Sequence, residues 1–154
     1  MTLNIGDTAP DFTAATDSDG TLTLSDLKGK NIVLYFYPKD NTPGCTKQAI
    51  GFQENLKAFT ELNTAIIGVS KDSPKKHDNF KAKKDLTFTL ISDEDLKVNE
   101  AYGVWIEKSL YGRKYMGTDR STFIIDTKGD IQHIWRKVRV KDHIEDVLNT
   151  VKEL

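Results

Sequence analysis

The sequence predicts an α/β fold, with a central mixed β-sheet flanked by helices. Three observations predict it. Short β-type apolar runs alternate with stretches of helical periodicity along most of the chain. Two of the runs, residues 31–37 (NIVLYFY) and 65–70 (AIIGVS), are almost continuously apolar, as strands covered on both faces are. The last two runs are separated only by Asp126-Thr127-Lys128-Gly129-Asp130, a hairpin turn signal that adds antiparallel pairing to a βαβ pattern.

Taken in order, residues 13–24 read as a small hairpin around Asp19-Gly20. Strand 31–37 follows. Residues 45–61 then place Ala49, Phe52, Leu56 and Phe59 on one helical face. After strand 65–70, Ser73-Pro74 reads as an N-cap with proline at N1, opening a helix to about Lys84. Residues 87–91 (TFTLI) form a strand, and a helix over 95–102 stops at Gly103. Residues 106–117 read as a loop that could shape access to a pocket. Strands 122–126 (TFIID) and 131–136 (IQHIWR) pair across the turn. The final helix, about 141–154, repeats Ile144, Val147, Leu148, Val151 and Leu154 at helical spacing.

The chain has 154 residues and one cysteine, with 22 basic against 23 acidic residues. That length fits one domain over residues 1–154, large enough to need no metal or disulfide staple. A single cysteine excludes an internal disulfide, a four-cysteine zinc site and an internal Cys-x-x-Cys redox centre. Near-neutral charge gives no footprint for nucleic acid. No apolar run reaches membrane-spanning length, and MTLNIGDTAPDF carries no signal-peptide pattern, so a cytoplasmic, reducing setting is expected. His77, His133 and His143 have no metal-ligand spacing, so neither metal nor cofactor is expected. His77 and His143 are expected at the surface. Lys75, Lys76, Lys81, Lys83 and Lys84 are expected to form a solvated helix face.

The chemistry concentrates at Tyr37-Pro38-Lys39-Asp40-Asn41-Thr42-Pro43-Gly44-Cys45-Thr46, where a central strand hands over to a helix. In open α/β sheets, sites form at the carboxyl ends of strands. Thr42 is a good N-cap and Pro43 falls at N1, which puts Cys45 at N3. A thiolate at N3 meets the positive end of the helix dipole, worth ~0.3–1 kcal/mol and ~2 when partly buried. A hydrogen bond to a charged acceptor adds ~1.5–3 kcal/mol. A nearby cation would complete the stabilisation. Cys45 lies about 20° from Phe52 on the helical wheel, so it faces the core, while Ile50 falls on the opposite, exposed face. The competing reading is a buried, inert thiol. Neither a phosphatase Cys-x5-Arg loop nor a nucleotide-binding Gly-Lys-Ser/Thr loop is present here.

The string YPKDNTPGCT resembles the active-site loop of the peroxiredoxins, most closely the bacterioferritin comigratory protein (PrxQ) subfamily. The pattern Pro-x-x-x-Thr-x-x-Cys is met by Pro38, Thr42 and Cys45. Further stretches are similar to the family in the same order: IGDTAPDFT (5–13), VSKDSPKKHDNF (69–80), ISDEDLKVNEAYGV (91–104) and GTDRSTFIID (117–126). The resemblance implies a thioredoxin-like fold and a thiol-dependent peroxidase acting on hydrogen peroxide and organic hydroperoxides. It implies that Cys45 is the peroxidatic nucleophile, oxidised to a sulfenic acid. It also implies that Thr42 hydrogen-bonds the reacting atoms, Pro38 shields the sulfur from water, and Arg120 supplies the cation.

Two residues depart from the subfamily. Ile50 stands where a resolving cysteine is common, and Gln48 where glutamate is often found. With no second cysteine, the sulfenic acid must be reduced by an external thiol, from thioredoxin, glutaredoxin or glutathione. The alternative on the same fold is a non-turnover redox sensor or thiol-dependent binding protein. Trp105 is expected in the core or the pocket wall. The chain ends with its last helix, so a monomer is expected, or at most a weak dimer.

Overall fold

The computed structural model describes residues 3–154. A hairpin of β1 (Thr13–Thr16) and β2 (Thr21–Thr23) opens the fold and leads into a short 3-10 turn at Leu24–Leu27. There follow β3 (Asn31–Phe36), α1 (Pro43–Glu54), α2 (Leu56–Glu61), β4 (Thr64–Ser70) and α3 (Pro74–Lys84). The second half runs β5 (Thr89–Ser92), α4 (Lys97–Ala101), β6 (Trp105–Leu110), β7 (Arg113–Thr118), β8 (Ser121–Ile125), β9 (Ile131–Trp135) and α5 (His143–Lys152).

Seven strands form one sheet in the order β2-β1-β5-β4-β3-β8-β9. The pairs β3–β4 and β4–β5 are parallel; the others are antiparallel. The sheet is therefore mixed, and its parallel centre is buried on both faces, as the continuous apolar runs require. Along β3, Val33 and Tyr35 pack into one core with Phe52, Phe59, Phe80 and Val147. Ile32, Leu34 and Phe36 pack into the other with Ile67, Val98, Tyr102 and Phe123. Helices α1, α2, α3 and α5 thus cover one face, while α4 and the N-terminal segment cover the other.

The structure departs from the sequence expectation in several places. The helix expected over 45–61 is two, parted at Asn55 (φ −105°, ψ 7°), whose side-chain amide donates to the Gly51 carbonyl at 2.8 Å. Phe52 and Phe59 still face the same core, so the apolar pattern runs through the break. The stretch expected as a loop over 106–117 lies within a two-stranded hairpin, β6–β7, turning at Tyr111 (φ 50°) and Gly112 (φ 78°). Two positive φ values match the twist of a tight hairpin. The last helix is shorter at both ends than expected.

His77 and His143, expected at the surface, are both buried. His143 Nε2 bonds the Thr122 hydroxyl at 2.9 Å, and the Trp135 ring stands edge-on to the imidazole at 5.4 Å. Lys81 leaves the solvated face of α3 to pair with Asp17 at 2.8 Å. No helix among the described residues is long and apolar enough to cross a membrane.

Candidate active site

Strand β3 ends against a loop, residues 38–42, that turns the chain into α1. Thr42 has the extended backbone of an N-cap (φ −85°, ψ 153°), Pro43 takes the first helical position, and Thr46 N donates to Thr42 O at 2.8 Å to close the first turn. This geometry puts Cys45 at N3. Its side chain is 1% exposed and lies in the core with Tyr35, Tyr37, Ala49 and Phe52, facing inward as the wheel expected.

Arg120 comes from the same end of the sheet, just ahead of β8, whose first residue Ser121 pairs with Phe36 at the end of β3. One arm of its guanidinium, Nη2, stands 3.2 Å from Cys45 Sγ. The other, Nη1, donates to Gln48 Oε1 at 2.6 Å. Cys45 and Gln48 are three apart on α1 and so share a face, which lets one planar fork engage both. Gly44 makes room for it: a Cβ at this position would sit 3.3 Å from Arg120 Nη2. Gln48 is buried, and its Nε2 has no hydrogen-bond partner among the described residues.

The sequence-derived residues fare differently. Thr42 does not cap α1 with its side chain; its hydroxyl donates to the Lys39 carbonyl at 2.9 Å. The positive φ of Asn41 (64°) folds the loop back and brings that carbonyl within reach. Pro38 is half-buried at the start of the same loop. Ile50 is half-buried rather than exposed. Trp105 is not core: it is half-buried at the start of β6, with Lys71 Nζ 5.7 Å from the ring centroid.

Sequence reasoning missed two groups. Lys108, on β6, lies within electrostatic reach of the site. Partial burial pushes its ammonium down and Arg120 pushes the same way, while Asp119 and Cys45 oppose them. The exposed, charged pattern of that hairpin carried no signal for it. The second group is a buried cluster under the active-site loop. Asp40, Asp72 and His77 bring ligand-type atoms within 4.8 Å of one another. The three side chains come from separate segments, so no spacing motif announces them. All three are engaged in hydrogen bonds: His77 Nδ1 to Asp40 at 2.6 Å, Tyr37 Oη to Asp40 at 2.6 Å, and the Asp40 amide and Ser70 hydroxyl to Asp72 at 2.8 and 2.7 Å.

Burial holds the Tyr35 and Tyr37 hydroxyls well above the usual tyrosine range, so both keep their protons. The arrangement as a whole is a desolvated sulfur with a helix N-terminus behind it and a guanidinium in front. The helix N-terminus and the guanidinium are placed to stabilise negative charge developing on an oxygen beside the sulfur.

Residues 5–134 match the AhpC/TSA family. Peroxiredoxin Bcp of Bacillus subtilis is 51% identical over 154 residues, covering 100% of this chain and 98% of the relative. Peroxiredoxin Bcp of Escherichia coli K12 is 41% identical over 151 residues, covering 98% of this chain and 97% of the relative. Among solved structures, a cysteine-to-serine mutant of Xylella fastidiosa PrxQ superimposes with a TM-score of 0.94 at 41% identity, over 99% of this chain and 98% of that one. The Xanthomonas campestris bacterioferritin comigratory protein, described for its alkyl peroxide reduction activity, gives 0.89 at 39% identity, over 92% of this chain and 90% of that one.

Proposed function

The chain belongs to the AhpC/TSA family, among its Bcp/PrxQ peroxiredoxins, and is a thiol-dependent peroxidase of thioredoxin-like fold; from that premise we propose that Cys45 is its peroxidatic nucleophile and that it works as a one-cysteine enzyme. The observation that carries this is the Arg120 guanidinium 3.2 Å from the buried Cys45 sulfur.

The Cys45 thiolate attacks the terminal oxygen of the peroxide. An S–O bond forms as the O–O bond breaks, and its electron pair leaves with the departing oxygen. Arg120, which faces the sulfur, stabilises the charge that develops on the departing oxygen. The leaving oxygen takes a proton and departs as water or an alcohol, leaving Cys45 as a sulfenic acid. Thr42, its own proton held by Lys39 O, keeps acceptor capacity for a peroxide O–H. Pro38 covers the sulfur from solvent. Gln48 holds the second arm of Arg120 and so sets the angle of the first.

The sole cysteine decides the second half-reaction. An external thiol attacks the sulfenic sulfur and releases water, giving a mixed disulfide; a second thiol then frees Cys45 and carries away the disulfide. Thioredoxin, glutaredoxin and glutathione are the candidate reductants, and a reducing compartment such as the cytoplasm suits this cycle. Hydrogen peroxide and organic hydroperoxides are the substrates, in keeping with the alkyl peroxide activity named for the Xanthomonas relative. The protein works as one domain over residues 1–154 and as a monomer.

Stopped-flow mixing of the reduced protein with peroxide tests the reading. Consumption far faster than by a free thiol is expected, and Cys45→Ser should abolish it. A free-thiol rate would sink the proposal. Steady-state turnover with each of the three reductants then identifies the partner. Rapid oxidation with no turnover on any of them would make the protein a redox sensor.

A further inference from the structure

The loop that carries Pro38 and Thr42 from β3 into α1 is tied down by a buried polar cluster. Three segments supply it. Tyr37, directly after β3, donates to Asp40 Oδ1. Asp72, between β4 and α3, accepts from the Asp40 amide and from Ser70 Oγ, and its carbonyl accepts from Ser92 Oγ. His77, on α3, has no exposed surface; its Nδ1 lies 2.6 Å from Asp40 Oδ2 and its Nε2 lies 2.9 Å from the Ile91 carbonyl on β5.

Both ring nitrogens of His77 therefore face acceptors. A carbonyl oxygen can only accept, so Nε2 must carry a proton. Nδ1 faces a carboxylate that already takes the Tyr37 proton on its other oxygen. Against an ionised Asp40, a neutral imidazole has a single N–H and would leave one of these two buried contacts as a repulsion between lone pairs. With the carboxylate ionised, only the doubly protonated ring satisfies both.

We infer that Asp40 and a doubly protonated His77 are positioning residues for the peroxidase reaction, a buried ion pair that ties the loop bearing Pro38 and Thr42 to α3 and β5. The inference rests on Cys45 being the reacting group.

The surroundings support a charged ring. Burial opposes the imidazolium, but the hydrogen bond and charge of Asp40, with the Ile91 carbonyl and Asp72 behind them, outweigh burial and hold His77 above the ordinary histidine range. The other charged and titratable groups around the pair are Tyr37 just after β3, Lys39 in the loop and Lys76 on α3. The two lysines line the outer cleft of about 300 Å³ with Asn41 and Asn79. β5 presents only the Ile91 carbonyl and the Ser92 hydroxyl. Lysines at that mouth oppose a divalent cation, and every ligand-type group in the cluster is already hydrogen-bonded, so the occupant this site is built for is a proton.

Two measurements on the full chain test it. Nitrogen-15 NMR of the reduced protein should show both His77 ring nitrogens protonated at pH 7, with a titration midpoint above that of a free histidine. One unprotonated nitrogen at pH 7 overturns the inference. In the second, Asp40→Asn should slow the reaction with peroxide at least tenfold. Alkylation of Cys45 by iodoacetamide, which needs the sulfur but not the loop, should change less than threefold. Equal losses in both reactions, or a loss in neither, overturn the positioning role. If Asp40→Asn does not fold, the nitrogen-15 measurement on the unaltered protein still decides. A free-thiol peroxide rate in the unaltered protein would count against Cys45 instead, while the protonation of the ring still decides for or against the ion pair.

Discussion

Arg120 reaches two atoms with one planar fork, and each contact makes a separate prediction. Removing the fork, Arg120→Ala, should slow the peroxide reaction by about 10²–10³, the usual loss when one preorganised donor is taken from developing charge. Arg120→Lys keeps the charge but not the geometry, since an ammonium cannot hold Gln48 and face the sulfur in the same plane. Its rate should fall between those of the parent and of Arg120→Ala in the same stopped-flow assay. Gly44 offers a sharper test because activity and stability should move in opposite directions. Alanine is the better helix former by roughly 0.5–1 kcal/mol, and Gly44 lies in the first turn of α1 without a positive φ. Its Cβ, however, would crowd Arg120 Nη2 at 3.3 Å. Gly44→Ala should raise the urea midpoint slightly and slow peroxide reduction several-fold. A variant with unchanged rate would show that the guanidinium has room to move. Of these residues, Cys45 was legible from local sequence alone, by its place after Thr-Pro-Gly. Arg120, 75 residues away, was legible only through family resemblance, because nothing local pairs a helix N-terminus with the edge of a distant strand.

At the scale of elements, α1 is where one-cysteine chemistry should show. Ile50 cannot form a disulfide, so oxidation of Cys45 gives the first turns of α1 no bond partner to unwind towards. Hydrogen exchange over residues 45–52 should be the same before and after one equivalent of peroxide, and faster exchange on oxidation would refute this. The elements themselves were legible where burial imposes a period. The β3 and β4 runs are apolar on both faces because both faces are covered, and α5 shows its stripe because only one is. Legibility failed where tertiary context replaced pattern. The break at Asn55 leaves Phe52 and Phe59 in one core, so periodicity passes straight over it. The β6–β7 hairpin stands clear of the main sheet, with Tyr111 at its tip 97% exposed, and strands with little to bury show no alternation. The two buried histidines failed for a related reason: their partners lie on other segments, and sequence spacing cannot announce a hydrogen bond across the fold.

Those two histidines shape the pH response of the whole molecule, and they act in opposite directions. Burial pushes His143 down to about 4, with Arg120 adding to the effect and Asp146 opposing it. Between pH 4 and about 6.5 the unfolded chain therefore binds a proton at this residue that the folded chain does not, so stability must rise with pH across that window. The span corresponds to about 3 kcal/mol at most. His77 lies on the other side. Its folded-state value is raised, so the folded chain holds a proton that the unfolded chain loses above about 6.5. Its contribution is complete below that pH and fades as pH climbs through the folded-state value. Carboxylates act lower still: Asp17, against a burial effect that pushes it up, is held below its usual value by Lys81 and the Leu90 amide, so its share is lost only in stronger acid. Urea unfolding followed from pH 4.5 to 9 should therefore show greatest stability near pH 6.5, with an acid limb belonging to His143 and an alkaline limb to His77. Each limb should be removable on its own. His143→Gln should flatten the acid side and leave the alkaline side intact, and His77→Gln should do the reverse, because the two rings stand on different helices and bond different partners. If either variant flattened both limbs, the histidines would have to be coupled through the core they share; if neither did, the pH dependence would belong to groups elsewhere in the chain.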